Sequence, residues 1–190
     1  MIQIGILAIQ GAFVEHQKVL EKLGAKCFEI RKPDDLCKKM DGLILPGGES
    51  TVMGKLLREL NLFEPIKEMI LNGLPVMGTC AGSILLAKNA IEGEIHFSTF
   101  PITIRRNAYG RQLSSFETRS EFDGNRDTPM IFIRAPAIID MENNVEVLAY
   151  VDDVPVAVRY KNQMAISFHP ELSDDITVHS YFLNMVRACQ

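Results

Sequence analysis

Along the first half of the chain, short all-apolar runs alternate with stretches in which apolar residues return every three or four positions. Residues 2–9 form a run of the first kind, suited to a strand buried on both faces, as in a parallel sheet. Over residues 12–23, apolar Phe13, Val19, Leu20 and Leu23 recur at helical spacing, and Gly24 stands where a helix-ending glycine belongs. Residues 26–30 read as a second strand, Pro33 opens a short helix through Met40, and residues 42–45 are a third strand stopped by Pro46-Gly47-Gly48. Helices follow over 51–60 and 63–71, the second ended by Gly73, and residues 74–77 are a fourth strand running into Cys80. Strands separated by helices predict right-handed crossovers and a doubly wound sheet that binds ligands at the carboxyl ends of its strands.

Beyond Asn89 the texture changes. Residues 102–105, 115–122, 130–133, 145–151, 154–160 and 164–168 look like strands, with Asp152-Asp153 as a hairpin turn. A closing helix over 176–188 places Val178, Phe182, Met185 and Val186 on one face. With no linker or repeat, residues 1–190 read as one domain of α/β class: doubly wound, mostly parallel, with a β-rich C-terminal half.

Composition narrows the functions open to such a chain. Of 190 residues, 47% are hydrophobic and 23% charged, the balance of a globular protein able to bury a core without staples. A net charge of -4, with no long run of Lys or Arg, argues against binding to a nucleic acid duplex. The most apolar stretches fall far short of the ~20 residues of a membrane helix, and no Lys or Arg precedes Lys18 to make a signal-peptide n-region, so no membrane role and a cytoplasmic location are expected. Cys27, Cys37, Cys80 and Cys189 form no CxxC pair, and His16, His96, His169 and His179 are equally dispersed, which leaves a metal site without support. The segment from Gly5 to Gly11 lacks the spacing of a dinucleotide fingerprint.

The strongest local signal is Gly78-Thr79-Cys80-Ala81-Gly82, placed after an apolar strand and before the helix-like residues 83–88. This has the form of a nucleophile elbow. A sharp strand-to-helix turn forces the nucleophile into unfavourable backbone angles close to neighbouring chain, so its neighbours must be small. The helix N-terminus also favours thiolate over thiol. A thiolate nucleophile needs a proton shuttle, and His169, at the end of the last strand, can face the same sheet edge. With Pro170 disfavouring a helix, an extended His169-Pro170-Glu171 points Glu171 the same way as His169, where it can orient the imidazole. Pro46-Gly47-Gly48-Glu49-Ser50 reads either as a nest of backbone N–H groups for an oxyanion or as a tight turn with Ser50 capping the next helix.

These segments closely resemble the triad class of glutamine amidotransferases, and within it the glutaminase subunits of pyridoxal 5'-phosphate synthase complexes. The resemblance runs nearly end to end, through Leu7 to Gly11 with Glu15-His16, Asp41 to Thr51, the Cys80 elbow, Arg106 to Gln112, Ser115 to Glu117, Phe132 to Pro136, Asn144 to Leu148 and Ser167 to Leu172. The elbow and His-Pro-Glu are shared across the class; the segments around Arg106 and Arg134, and Ile84 where many relatives carry Gln, mark the branch.

The resemblance implies a three-layer fold and hydrolysis of L-glutamine to L-glutamate and ammonia, the ammonia passing to a separate synthase subunit. Cys80 is then the nucleophile, His169 the general base and acid, and Glu171 its orienting partner. Gly48 and Ala81 supply the oxyanion hole, while Gly48, Glu49, Ser50, Arg106, Ile133 and Arg134 bind glutamine. Gln10 and Gly11 lie where relatives meet the synthase, and no cofactor is needed. Two alternatives stay open: the same chemistry serving another biosynthetic acceptor, and a catalytically silent binding module. The stretch 90–101, including His96, Phe97 and Phe100, departs from the branch pattern, as does Ser83 at a position usually apolar.

Overall fold

The computed structural model describes residues 1–106 and 115–190, so the part of the Arg106 to Gln112 motif beyond Arg106 lies outside the described residues. Five strands lie parallel in one sheet: β1 (Gln3–Leu7), β2 (Lys26–Ile30), β3 (Gly42–Leu45), β4 (Val76–Thr79) and β12 (Gln163–Ile166). The β-rich half extends that sheet antiparallel through β11 (Val154–Tyr160), β10 (Glu146–Val151), β7 (Ser115–Phe122) and β8 (Asn125–Ile133). The nine-strand order is β2-β1-β3-β4-β12-β11-β10-β7-β8.

The all-apolar runs are strands because both faces of this sheet are covered. In β3, Leu43 and Leu45 join the core beneath α2 (Ser50–Glu59), α3 (Phe63–Leu71) and α4 (Ala81–Leu86). Ile44 between them joins the opposite core, beneath α1 (Phe13–Lys22) and α5 (Thr177–Ala188). Successive strand side chains point to opposite faces, so three layers require apolar residues at every position.

Helix ends follow the glycine signals. After α1, Gly24 takes φ +82 and its N–H bonds to Glu21 O, while Ala25 N–H reaches Leu20 O. This paired closure satisfies carbonyls that would otherwise be orphaned. Asp152 and Asp153 both take positive φ (48° and 62°) between β10 and β11, the twist a two-residue hairpin needs.

Four expectations are corrected. Residues 33–40 are not an α-helix: Pro33–Cys37 is a short 3-10 turn. The helix after Cys80 spans Ala81–Leu86, and Ala87–Ile91 leaves it as strand β5. A further strand, β9 (Ala137–Met141), joins β5 and β6 (Phe100–Arg105) in a second sheet, β5-β6-β9, absent from the sequence reading. Ala-Lys-Asn-Ala-Ile has little strand propensity of its own, and pairing with β6 supplies the missing hydrogen bonds. Finally, Pro170–Leu172 is a 3-10 turn rather than extended chain, since proline suits the first position of a helical turn.

The departures at Ser83 and 90–101 have local explanations. Ser83 is fully buried, and its hydroxyl donates to the Cys80 carbonyl at 2.7 Å. Phe97 and Phe100 are fully buried, Phe97 stacking on Phe63 with ring centroids 4.9 Å apart.

Candidate active site

The site begins at the elbow. Cys80 follows β4, precedes α4 and takes φ 47 and ψ -104, outside the basins that L-residues prefer. Such a conformation costs on the order of 1–3 kcal/mol and persists only where its surroundings dictate it. They do so here: Cys80 N–H bonds to Ile166 O at 2.7 Å, and α4 lies so close to β3 that a Cβ on Gly82 would run into the Leu45 carbonyl. A Cβ on Gly78 would lie 2.6 Å from the Gly82 backbone, so the glycines on both sides of the cysteine are sterically required.

Strand register brings the partners to this point. In the parallel pair β4 and β12, Thr79 faces Ile166, so both strands end at one edge, with Cys80 beyond one and His169 beyond the other. His169 N–H bonds to Ile131 O at 2.8 Å, which anchors this segment to the end of β8. The 3-10 turn places Glu171 behind the ring, with Glu171 Oε1 accepting from His169 Nδ1 at 2.8 Å and leaving Nε2 as the nitrogen for Cys80. Burial is the largest influence on His169 and opposes protonation, but hydrogen bonds to Cys80 and Glu171, with their charges, outweigh it and raise the imidazole to about 10. Burial pushes Glu171 upward, yet His16, His169 and its own backbone N–H draw the carboxyl below its ordinary range.

A cleft of about 370 Å³ opens over these residues, and all but one of the expected site residues line it. Gln10 and Gly11 border it from the loop after β1; Gly48, Glu49 and Ser50 from the loop after β3; Cys80 and Ala81 from the elbow. Arg106, Ile133, Arg134 and His169 complete the wall, while Glu171 lies behind His169 rather than in the cleft. Ala81 is the first residue of α4, so its N–H has no partner within the helix.

Glu49, not Ser50, caps α2: its carboxylate accepts the N–H groups of Thr51 at 3.3 Å and Val52 at 2.9 Å. The same carboxylate pairs with Arg106 at 2.7 Å, and Arg106 also donates to Thr51 Oγ1 at 3.1 Å. Burial raises the Glu49 carboxyl, but the Val52 and Thr51 N–H groups and the Arg106 guanidinium hold it below the usual range. Opposite charges thus sit side by side on one wall. Arg134 takes φ 44 at the cleft edge, and the Ile133 carbonyl lies 3.9 Å from Cys80 Sγ.

Sequence reasoning overlooked two buried residues here, His16 and His179, which lie behind Glu171. Their signal was positional. His16 fills the core-facing place between Phe13 and Leu20 on α1, and His179 shares its face of α5 with Phe182 and Val186.

A doubly wound sheet with a strained cysteine elbow and a His–Glu pair at one strand edge defines a protein of the class I glutamine amidotransferase kind. The chain belongs to the SNO glutamine amidotransferase family, whose profile matches residues 6–188. It is 56% identical over 185 residues to the pyridoxal 5'-phosphate synthase subunit PdxT of Methanocorpusculum labreanum, covering 97% of this chain and 98% of that one. To the subunit of the same name from Streptococcus pneumoniae it is 53% identical over 190 residues, covering 98% of each. A crystal structure described as a glutamine amidotransferase superposes with a TM-score of 0.91 at 41% identity, over 97% of this chain and 98% of that one. No helix among the described residues is long and apolar enough to cross a membrane.

Proposed function

We propose that this chain, acting as a single domain over residues 1–190 in the cytoplasm, hydrolyses L-glutamine to L-glutamate and ammonia. The ammonia passes to a synthase subunit that builds pyridoxal 5'-phosphate, and this chain needs no cofactor of its own. The convergence of Cys80 and His169 with a Glu49–Arg106 pair around one cleft, in a chain of the amidotransferase family, carries the reading.

Glutamine presents a carboxylate, an ammonium group and a side-chain amide. The guanidinium of Arg106 suits the carboxylate, and Glu49 suits the ammonium, so the substrate exchanges its charges for the ion pair of the free protein. Ser50, Ile133 and Arg134 complete the substrate's surroundings. With the proton already held on His169 Nε2, Sγ of Cys80 attacks the amide carbon, and the negative oxygen that develops meets the N–H groups of Gly48 and Ala81. His169 then protonates the departing nitrogen, the C–N bond breaks and ammonia leaves a glutamyl thioester. Water, deprotonated by His169, attacks the thioester, releasing glutamate and leaving the proton on His169 beside Cys80. Glu171 holds the His169 tautomer throughout and stabilises the imidazolium.

Gln10 and Gly11, on the same edge as the elbow, are assigned to partner contact. The test is ammonia release from glutamine by the chain mixed with a pyridoxal 5'-phosphate synthase subunit. Equal amounts of glutamate and ammonia, with pyridoxal 5'-phosphate formed from glutamine in place of added ammonium salt, are expected; glutamine left intact in that mixture would overturn the reading.

A further inference from the structure

Behind the His169–Glu171 pair, histidines far apart in the sequence meet in the core. Glu171 Oε1 is engaged by His169; Oε2, buried and without a hydrogen bond among the described residues, lies 3.4 Å from His16 Nε2. His16 Nε2 is also 3.1 Å from Thr79 Oγ1, and His16 Nδ1 is 2.9 Å from His179 Nε2. These groups come from three elements: His16 from α1, His179 from α5, and Thr79 from the last position of β4, next to Cys80. His16, Thr79 and His179 are fully buried.

The contacts dictate where the protons sit. A carboxylate only accepts, so the His16 nitrogen facing it, Nε2, carries the proton. His16 Nδ1 is then an acceptor, and His179 must offer it Nε2–H. That leaves His179 Nδ1 bare, and this is the nitrogen without a hydrogen-bond partner among the described residues. His179 Nε2–H thus points at His16, and His16 Nε2–H points at Thr79 Oγ1, with Glu171 Oε2 the next acceptor at 3.4 Å. Both rings are neutral: burial lowers His16 despite Glu171 and Glu15, with His169 adding to the effect, and burial followed by His16 takes His179 down to about 3. The titratable groups facing the pair are thus Glu171 and His169 from beyond β12 and Glu15 from α1.

We propose that His16 and His179 are positioning residues of the glutaminase site: His179 holds His16, and His16 faces the otherwise unpartnered second oxygen of Glu171, which sets the orientation of His169. The proposal rests on the assignment of Cys80, His169 and Glu171 given above. A histidine pair retained for packing alone would have no need to set a ring nitrogen 3.4 Å from a buried carboxylate oxygen that has no other partner, on the carboxylate that holds His169.

The test compares wild type with His16→Leu, His16→Gln, His16→Asn, His179→Leu and Glu171→Gln, all full chain with the synthase subunit present, by kcat, KM for glutamine and the pH profile of kcat. His16→Leu should lose about 10- to 100-fold in kcat, the usual effect of losing a group that orients a reacting residue, with KM little changed. The acid limb of its profile should move to higher pH, because a buried carboxylate that loses a donor protonates more easily. His179→Leu should change in the same direction by less. In His16→Gln the amide nitrogen reaches the place of Nε2 and should restore most of kcat and the wild-type limb; in His16→Asn it cannot, and the limb should stay shifted. This pair decides the matter even if the leucine variant folds poorly. Wild-type kcat and pH profile in a folded His16→Leu, or equal losses in the Gln and Asn variants with an unshifted limb, would overturn the proposal and leave the triad standing. Undiminished turnover by Glu171→Gln would overturn both.

Discussion

The carbonyl oxygen of Gly47 accepts the backbone N–H of Ala12 at 3.1 Å, tying the peptide that carries the Gly48 N–H to the loop after β1. Gln10 makes a second tie, its Oε1 accepting Glu49 N–H at 2.8 Å. A rotation of the Gly47–Gly48 peptide that re-aims the Gly48 N–H must break the Ala12 bond, so whatever moves the first loop also moves the proposed oxyanion donor. Ammonia released into water is protonated and lost to the second site, which makes completion of the site on docking useful. The isolated chain should therefore show little glutaminase activity, with a large rise when the synthase subunit is added and loss of that rise in Gln10→Lys. Full turnover by the purified chain alone would sink this gating and leave a free-standing amidohydrolase.

Cys80 should be the sole cysteine required for activity. Cys27 is a poor candidate: burial, with Glu21, pushes that thiol up to about 12. Cys80→Ala should abolish ammonia release with the fold intact, while Cys27, Cys37 and Cys189 should be replaceable. A glutamine-analogue electrophile that inactivated the protein by labelling Cys27 or Cys189, sparing Cys80, would refute the assignment; peptide mass mapping reads the result.

His169 and Glu171 should differ in the size of their effects. His169 moves the proton itself, whereas Glu171 acts through a 2.8 Å hydrogen bond to Nδ1. His169→Ala should be inactive, and Glu171→Gln should keep measurable turnover, since an amide oxygen still accepts from Nδ1 but no longer balances the imidazolium. Wild-type activity in His169→Ala would remove it from the mechanism.

Stability should carry the signature of the buried carboxylate. The Glu171 pKa is depressed in the folded protein, so its contribution is present above the unfolded value of about 4.3 and is lost as pH falls through the folded one. Melting temperatures of wild type and Glu171→Gln should therefore converge as pH is lowered from 7 through about 4 and below. A constant difference across that window would show that Glu171 is protonated in the folded protein.

Gly82→Ala tests the elbow's steric basis. Its Cβ would meet the backbone carbonyl of Leu45, which cannot swing aside without disturbing β3, so a loss of about 2–4 kcal/mol or outright misfolding is expected. Gly24→Ala meets nothing within 4 Å and strains only φ, so its denaturant midpoint should fall less. Equal midpoints for the two variants would contradict this account of the elbow.

Local chemistry was enough to read much of this protein from its sequence. Apolar runs mark β1, β3 and β4, because a strand buried on both faces leaves few polar positions to confuse the pattern. The cysteine flanked by glycines between a strand and a helix marks the elbow for the same kind of reason, since only small residues fit there. What the sequence could not settle depends on pairing between distant segments. β5 has weak strand propensity and exists through β6, and β9 pairs with the other edge of β6, Met141 opposite Ile102. His16 and His179, 163 positions apart, look like unrelated histidines until α1 and α5 pack on one face of the sheet and bring His16 Nδ1 to 2.9 Å from His179 Nε2. Register at the β4–β12 edge decides that Cys80 and His169 meet, and core packing decides that His16 lies behind Glu171; both are properties of the folded sheet, in which residues distant along the chain become neighbours.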